Sequence, residues 1–179
     1  MSSIFLISDF NLEPLARFLT NQKVEGILVE TAPFDQVYQS LEKKNTYESA
    51  FVWTLPERVL PTFAKAIEFS AIDFEECLQE VDSFAEAILD FSLTCNNVFV
   101  ASWILPINMR GYGLLDWRNG IGLSNLLSRA NLSLADRLSS SNNIFMLNSS
   151  SWFEDISNSI RPKMWYATKV PFSNEVFQR

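Results

Sequence analysis

The sequence contains no histidine, and this absence excludes several classes of enzyme. Ser-His-Asp and Cys-His mechanisms need an imidazole to accept the nucleophile's proton near neutral pH, because no other side chain has an unperturbed pKa in that range. The HExxH motif of metalloproteases and most catalytic zinc sites also need histidine ligands. Acyl transfer by a histidine-dependent triad is therefore impossible within this chain.

Cysteine, glycine and long apolar runs are also scarce. The two cysteines, Cys77 and Cys95, fit neither a CxxC motif nor a zinc ligand set, so we expect buried thiols, no metal and no cofactor. The longest apolar runs are about ten residues, well short of the ~20 that a membrane helix needs. The first ten residues lack the basic region of a secretory signal. These absences predict a cytoplasmic protein without membrane contact.

Basic residues are too few for a nucleic-acid-binding protein. The chain has 14 lysines and arginines against 21 acids, a formal net charge of −7. Residues 1–100 hold 16 acids and 6 bases, whereas residues 101–179 hold 5 acids and 8 bases. Residues 68–90 alone hold 8 acids and no base, which a solvated helix face explains most simply. Without a basic stripe on any predicted helix, we expect no nucleic-acid partner.

What is present is an alternation of strand-like and helix-like segments. Five short runs are rich in β-branched and aromatic residues, namely SIFLIS, VEGILVE, ESAFVWT, VFVASWI and NIFML. Each is followed by a segment with helical spacing, which predicts a parallel sheet covered on both faces. We therefore predict one α/β domain over residues 1–179. It is expected to be a three-layer sandwich with a five-stranded parallel sheet in the flavodoxin-like order 2-1-3-4-5.

Local signals predict where the helices begin. Asn11 fits the N-cap of the first helix, and the carboxylate of Asp9 would be favourable beside its positive end. Thr54 and Glu57 have the spacing of a capping box after the third strand. The segment 56–94 is too long for one helix and is predicted to form two.

Polar residues follow several of the predicted strands. Because the carboxyl ends of parallel strands meet at one edge of a sheet, such residues can line a crevice there. The candidates for lining it are Ser8, Asp9, Asn11, Thr54, Asp116, Arg118, Asn119, Asn148 and Lys169. For Ser8 the alternatives are catalysis with an unusual base and a structural role near the helix start. For Asp116, Arg118 and Asn119, structural pairing within a glycine-bearing loop competes with ligand contact.

Tryptophans divide into core and surface candidates. Trp53 and Trp103 lie in predicted strands and are expected in the core. Trp117 and Trp165 lie in predicted loops beside basic residues, an arrangement typical of contact surfaces. The candidates for partner docking are Arg110, Trp117, Arg161, Lys163 and Trp165.

Four blocks of the sequence, in order, resemble the amino-terminal domain of FkbH-like proteins. They are FLISDFNLEPLARFL, FVWTLPE, LPINMRGYGLLDWRNGIGLSNLLSRANLSLADRL and RPKMWYATKVPFSNEVF. The resemblance implies an SGNH-hydrolase-like α/β domain that precedes a haloacid-dehalogenase-type (HAD-type) phosphatase-like domain. It also implies a role in loading a glyceryl unit from a phosphorylated glycolytic intermediate onto an acyl carrier protein. The DxDxT motif of the phosphatase-like domain does not occur in this sequence.

The catalytic blocks of SGNH hydrolases are largely replaced. Ser8 occupies the place of the nucleophilic serine, but without the usual glycine and GDS order. TLPE stands in place of the GxND block, and NSSSWFED in place of the DxxH block. The resemblance thus implies a scaffold that has lost esterase chemistry, and a fold does not by itself carry its usual activity.

These observations leave three hypotheses for the function. The first is a non-catalytic SGNH-like domain that docks a partner: its HAD-type domain in cis or in trans, an acyl carrier protein, or both. Any phosphoryl or glyceryl transfer would then occur in the HAD-type domain. The second is a hydrolase or acyltransferase that uses Ser8 without histidine. The third is a domain that binds a small ligand in the crevice.

Overall fold

The chain forms a parallel α/β sandwich in a computed structural model that describes residues 2–21, 26–105, 111–154, 156, 159 and 168–178. The strands are β1 (Ser2–Ser8), β2 (Ile27–Thr31), β3 (Tyr47–Trp53), β4 (Cys95–Ala101) and β5 (Ile144–Leu147). All four strand pairs are parallel, and their order is β2-β1-β3-β4-β5. The predicted fold class and strand order are confirmed.

Helices follow most of the strands. They are α1 (Glu13–Asn21), α2 (Val37–Leu41), α3 (Pro56–Val59), α4 (Pro61–Ile67), α5 (Phe74–Ser92) and α6 (Leu123–Leu138). Short 3₁₀ turns occupy Gly113–Leu115, Ser149–Phe153 and Val176–Gln178. The prediction of two helices between residues 56 and 94 is wrong, because Pro61 starts a new helix after Val59 and divides the first.

The two faces of the sheet are covered differently. One face packs against α2 to α6, and its core contains Phe5, Val52, Phe63, Ile88 and Leu126. Successive strand residues point to opposite faces, so the neighbours of Phe5 and Val52 lie on the other side. There α1 shares the cover with a carboxy-terminal aromatic segment, residues 170–177. Trp53 and Trp103 are both buried, as predicted.

Two predicted helix starts are corrected. The N-cap position of α3 is Leu55, and no side chain caps it. Thr54 instead accepts a hydrogen bond from the indole Nε1 of Trp103 at 2.9 Å, because its hydroxyl faces that buried ring. At α1 the helix begins at Glu13, and the side-chain oxygen of Asn11 accepts the N–H of Glu13 at 2.9 Å. Asn11 therefore accepts a free main-chain N–H at the start of α1, but it does so from the position before the N-cap.

Candidate functional site

The carboxyl edge of the sheet has a switch point between β1 and β3. Ser8 is paired with Trp53 at the end of these two strands. The chain leaves β1 toward α1 on one face and leaves β3 toward α3 on the other. In doubly wound sheets, ligands bind in the crevice that forms where neighbouring connections diverge in this way. The residues after β1 and β3 therefore define the place to look for chemistry.

Asp9 follows β1 and contacts the chain that follows β3, so it connects the two sides of the switch point. It is almost completely buried, with 1% of its surface exposed. Its Oδ2 accepts the main-chain N–H of Leu55 at 2.9 Å, and its Oδ1 has no hydrogen-bond partner. Burial raises the pKa of Asp9 from 3.8 to about 8, and the bond from Leu55 offsets only part of this. Asp9 is thus mainly protonated at neutral pH. The prediction that its carboxylate stabilises the start of α1 is wrong, since the side chain reaches the start of α3.

Ser8 does not have the surroundings of a nucleophile. Its side chain is buried, with 3% exposed, and its Oγ accepts the N–H of Phe10 at 3.0 Å. The carboxyl of Asp9 bonds Leu55 through one oxygen and has no hydrogen-bond partner on the other, so neither oxygen is bonded to the Ser8 hydroxyl. A serine becomes nucleophilic only when a base takes its proton. Ser8 closes the turn that follows β1.

Further carboxyl groups lie beside Asp9 without forming a metal site. Glu57 is partly buried, its Oε2 has no partner, and burial raises its pKa. Asp35 pairs with Arg58 at 2.7 Å at the exposed rim. Among the residues that the structure describes, no group of three or more acidic, histidine or cysteine side chains could hold a metal ion. The charges of Glu57 and Asp35 add to the rise in the pKa of Asp9, and the guanidinium of Arg58 acts in the opposite direction.

Asn11 connects the start of α1 to the carboxy-terminal segment. Its main-chain N–H donates to the carbonyl oxygen of Lys169 at 2.8 Å, and its Nδ2 donates to the carbonyl oxygen of Thr168 at 3.4 Å. Lys169 has a φ of 57°, in the left-handed region that non-glycine residues rarely adopt. The backbone of Lys169 therefore turns sharply where it meets the loop after β1.

Two open grooves lie on either side of this junction. The first has a volume of about 390 Å³ and is lined by Ser8, Asn11, Thr31, Phe34 and Lys169, among others. The second has a volume of about 470 Å³ and lies between α1 and the carboxy-terminal segment, with Glu13, Arg17, Ser173 and Glu175 among its lining residues. Asp9 lines neither groove. Of the predicted crevice residues, the structure thus brings Ser8, Asn11 and Lys169 to one groove and turns Asp9 away from it.

The remaining predicted crevice residues lie elsewhere. Asp116 is a structural acceptor in the loop before α6: its carboxylate accepts the N–H of Tyr112, and its carbonyl oxygen accepts the N–H of Asn125. Arg118 and Asn119 are exposed in the same loop and line neither groove. Asn148 is exposed and accepts the hydroxyl of Ser150 in a local turn.

Asn131 is a half-buried contact that the sequence patterns did not indicate. Its side chain accepts the N–H of Trp103 at 2.8 Å and donates to the carbonyl oxygen of Trp103 at 2.9 Å. This amide ties α6 to the chain that follows β4. An asparagine in a helix flanked by apolar residues was the available signal, because an amide there needs a buried partner.

Comparison with known proteins gives similarity to solved structures, and this similarity concerns the fold. No protein-family model matches the chain, and no curated protein matches its sequence. Among solved structures, the chain is similar to the N-terminal part of the protein BF1531 from Bacteroides fragilis, described as containing a phosphatase domain complexed with Mg. The TM-score is 0.75 with 11% sequence identity over 98% of this chain. The aligned region is 48% of that chain, so this protein spans about half its length.

Proposed function

We propose that residues 1–179 are a single, non-catalytic SGNH-like domain of an FkbH-like protein, and that it assists a HAD-type phosphatase-like domain by docking a partner or substrate. The observation that carries the non-catalytic part is the state of Ser8. It is buried, its Oγ accepts a main-chain N–H, and the nearby carboxyl of Asp9 faces the opposite loop. The site keeps the place of an SGNH nucleophile without the base that would activate it.

The similar fold in BF1531 supports the pairing with a phosphatase-like domain. That chain is about twice as long as the region aligned here and is described as containing a phosphatase domain. We infer that the present domain works beside such a domain, in cis or in trans. The order of the FkbH-like sequence blocks supports the further proposal that the pair loads a glyceryl unit onto an acyl carrier protein during biosynthesis. In this proposal the phosphatase-like domain carries the transfer chemistry.

The chain by itself is expected not to hydrolyse acyl esters. The sequence has no imidazole, and within the described part of the chain no side-chain base is hydrogen-bonded to Ser8, whose Oγ accepts the N–H of Phe10. A panel of p-nitrophenyl esters of increasing chain length, measured with the wild type and with Ser8→Ala, checks this. Both proteins should give the rate of the blank, and a rate above the blank that disappears in Ser8→Ala would show that the site is catalytic.

An acidic carrier protein is expected to bind weakly and in a salt-sensitive manner, if it docks on the basic carboxy-terminal half. The contact is predicted to use five cations and two tryptophan anchors. Arg118, Lys169 and Trp117 lie within the described residues, whereas Arg110, Arg161, Lys163 and Trp165 lie outside them. Rim charges of this kind mainly raise association rates, and salt screens them over ~8 Å. Titration of the pathway's carrier protein at low and high salt, with Arg161→Glu/Lys163→Glu as the variant, tests the contact. Binding that neither salt nor the double reversal changes would exclude this docking mode.

A second candidate function is favoured by the groove beside Ser8. This groove of about 390 Å³ combines the Ser8 turn with Asn11 and Lys169, and it lies at the carboxyl edge where doubly wound sheets bind ligands. We infer that it takes a small polar ligand of the phosphatase-like domain's reaction, such as a phosphorylated three-carbon acid. Saturable chemical-shift changes in the Ser8 to Asn11 amides on adding 3-phosphoglycerate would support this function. The absence of such changes would contradict it.

A further inference from the structure

An apolar surface is exposed at the loop before α6, and we call it the loop patch. Leu114 and Trp117 are 104% and 71% exposed, and Leu115 and Ile121 are about 40% exposed. Phe69, at the end of α4, is 61% exposed and packs against Tyr112 of the loop with 5.1 Å between ring centroids. The loop patch consists of Phe69, Leu114, Leu115, Trp117 and Ile121. Four of these side chains belong to one short loop, and the fifth contacts that loop through Tyr112. Exposed apolar groups concentrated in this way on a folded domain mark contact surfaces.

The loop that carries this patch has a defined conformation. The Tyr112 hydroxyl donates to the carbonyl oxygen of Ala66 at 3.0 Å, and Asp116 accepts main-chain N–H groups from both sides of the turn. Gly122 packs so tightly against the main chain of Asp116 that a Cβ there would overlap its carbonyl oxygen. The main chain that carries these apolar side chains is therefore fixed before a partner binds. Binding then costs less conformational entropy than it would for a disordered loop.

Phe69 is held outward in an unfavourable backbone conformation. Its φ is 61°, and the N–H of Ser70 donates to the carbonyl oxygen of Lys65 in the pattern that ends many helices. Glycine is the usual residue at this position, because a side chain is strained there. The contact with Tyr112 covers only part of the Phe69 ring, which stays 61% exposed, so burial within this domain offsets little of the strain. Its presence is explained if a partner covers the ring.

The charges around the loop patch are divided between its two segments. On the helix side, Glu68 and Asp73 are exposed, and the nearby Lys65 is within 3.9 Å of Glu76. On the loop side, Arg118 is exposed, whereas the carboxylate of Asp116 is bound to Tyr112. Exposed acids thus lie beside Phe69 in the sequence, and an exposed cation follows Trp117. Under two-fold rotation, the cationic segment of one copy meets the acidic segment of the other.

We propose that the loop patch is an isologous interface through which two copies of this chain associate, with Arg118 of each copy facing Glu68 of the other. This goes beyond the proposed function and does not depend on it. An acidic carrier protein fits the surface less well, because Glu68 and Asp73 would repel it. The number of apolar side chains is small, so the dimer should be weak, in the micromolar range, and in exchange with the monomer.

Sedimentation velocity over about 1 to 500 µM tests the proposal, a range that brackets micromolar association. The wild type should shift from monomer toward dimer as the concentration rises. Leu114→Glu and Arg118→Glu should each raise the dissociation constant by about tenfold or more, by burying an unpaired charge or by opposing like charges. The double variant Glu68→Arg/Arg118→Glu exchanges the two charges and should return the dissociation constant to within about threefold of the wild type.

Leu93→Glu is the matched control, because Leu93 is 86% exposed at the opposite edge of the sheet, between α5 and β4. It should leave the association unchanged. Far-UV circular dichroism verifies that each variant is folded. A chain that stays monomeric at every concentration overturns the proposal. A different partner, such as the phosphatase-like domain, would then cover the loop patch. A dimer that Leu114→Glu does not weaken, or that Leu93→Glu weakens equally, overturns it as well, as does a folded charge-swapped variant that fails to recover.

Discussion

Asp9→Asn should protect the fold against rising pH. The wild type should lose stability as the pH rises, and the variant should not. The difference between their free energies of unfolding is therefore expected to grow by about 2–4 kcal/mol in favour of the variant between about pH 5 and pH 8. The reason is the burial of Asp9, whose pKa in the folded protein is raised from 3.8 to about 8. One unit of pKa difference corresponds to about 1.4 kcal/mol, so a shift of this size has a large effect on stability. Asparagine cannot ionise and does not have this dependence.

The direction follows from proton binding in the two states. Between about pH 4 and pH 8 the folded protein keeps the Asp9 proton, whereas the unfolded chain releases it. Stability from this group is therefore fully present below the unfolded pKa, falls as the pH rises through this window, and is constant above it. Buried Asp9 thus acts oppositely to the ion-paired carboxylates whose protonation causes acid unfolding.

Urea unfolding of the wild type and Asp9→Asn at pH 5, 6, 7 and 8 measures the effect as a difference between two curves. Asparagine also leaves a buried amide N–H₂ near the former Oδ1, but that cost does not change with pH. Asp136→Asn, at an exposed position of α6, is the control and should run parallel to the wild type. If the Asp9→Asn curve also ran parallel to the wild type, Asp9 would be ionised in the folded protein.

Trp53→Ala is expected to lower the free energy of unfolding by about 3–5 kcal/mol, the usual cost of removing a large buried aromatic side chain. The Trp53 ring stacks on Phe172 at 5.0 Å and meets Phe10, Trp152 and Phe177 at 4.9 to 5.8 Å. It is the centre of the core between the sheet, α1 and the carboxy-terminal segment. Its loss should therefore also loosen that segment.

Urea unfolding measures the first effect, and limited proteolysis followed by mass spectrometry measures the second. Phe145→Ala is the matched control, because Phe145 stacks on Phe99 but is 45% exposed, so its removal should cost about 1 kcal/mol or less. Cleavage after residue 168 should become faster only in Trp53→Ala. Equal losses of stability in the two variants would contradict the first effect, and an unchanged rate of cleavage in Trp53→Ala would mean that the carboxy-terminal segment does not rest on Trp53.

Most of the fold could be predicted from local patterns. The five apolar runs alternate with helical spacing, and short connections leave few ways to order parallel strands, so the observed order was accessible from the sequence. The elements that were missed are those set by single residues. Pro61 breaks the helical segment after α3, and Thr54 binds the Trp103 indole instead of capping α3. The Trp103 contact joins residues far apart in sequence, so no local pattern indicates it.

By itself, the sequence determined what chemistry this protein lacks and which kind of sheet it forms. Both follow from residue types and their spacing, which need no coordinates. Only the tertiary structure decided the state of the candidate site. Whether Asp9 is a carboxylate or a carboxylic acid depends on how completely α3 and the loop after β3 remove water from it, and desolvation is a property of packing. The exposure of Trp117 and the outward, strained Phe69 were decided there too, because exposure depends on what the rest of the chain covers.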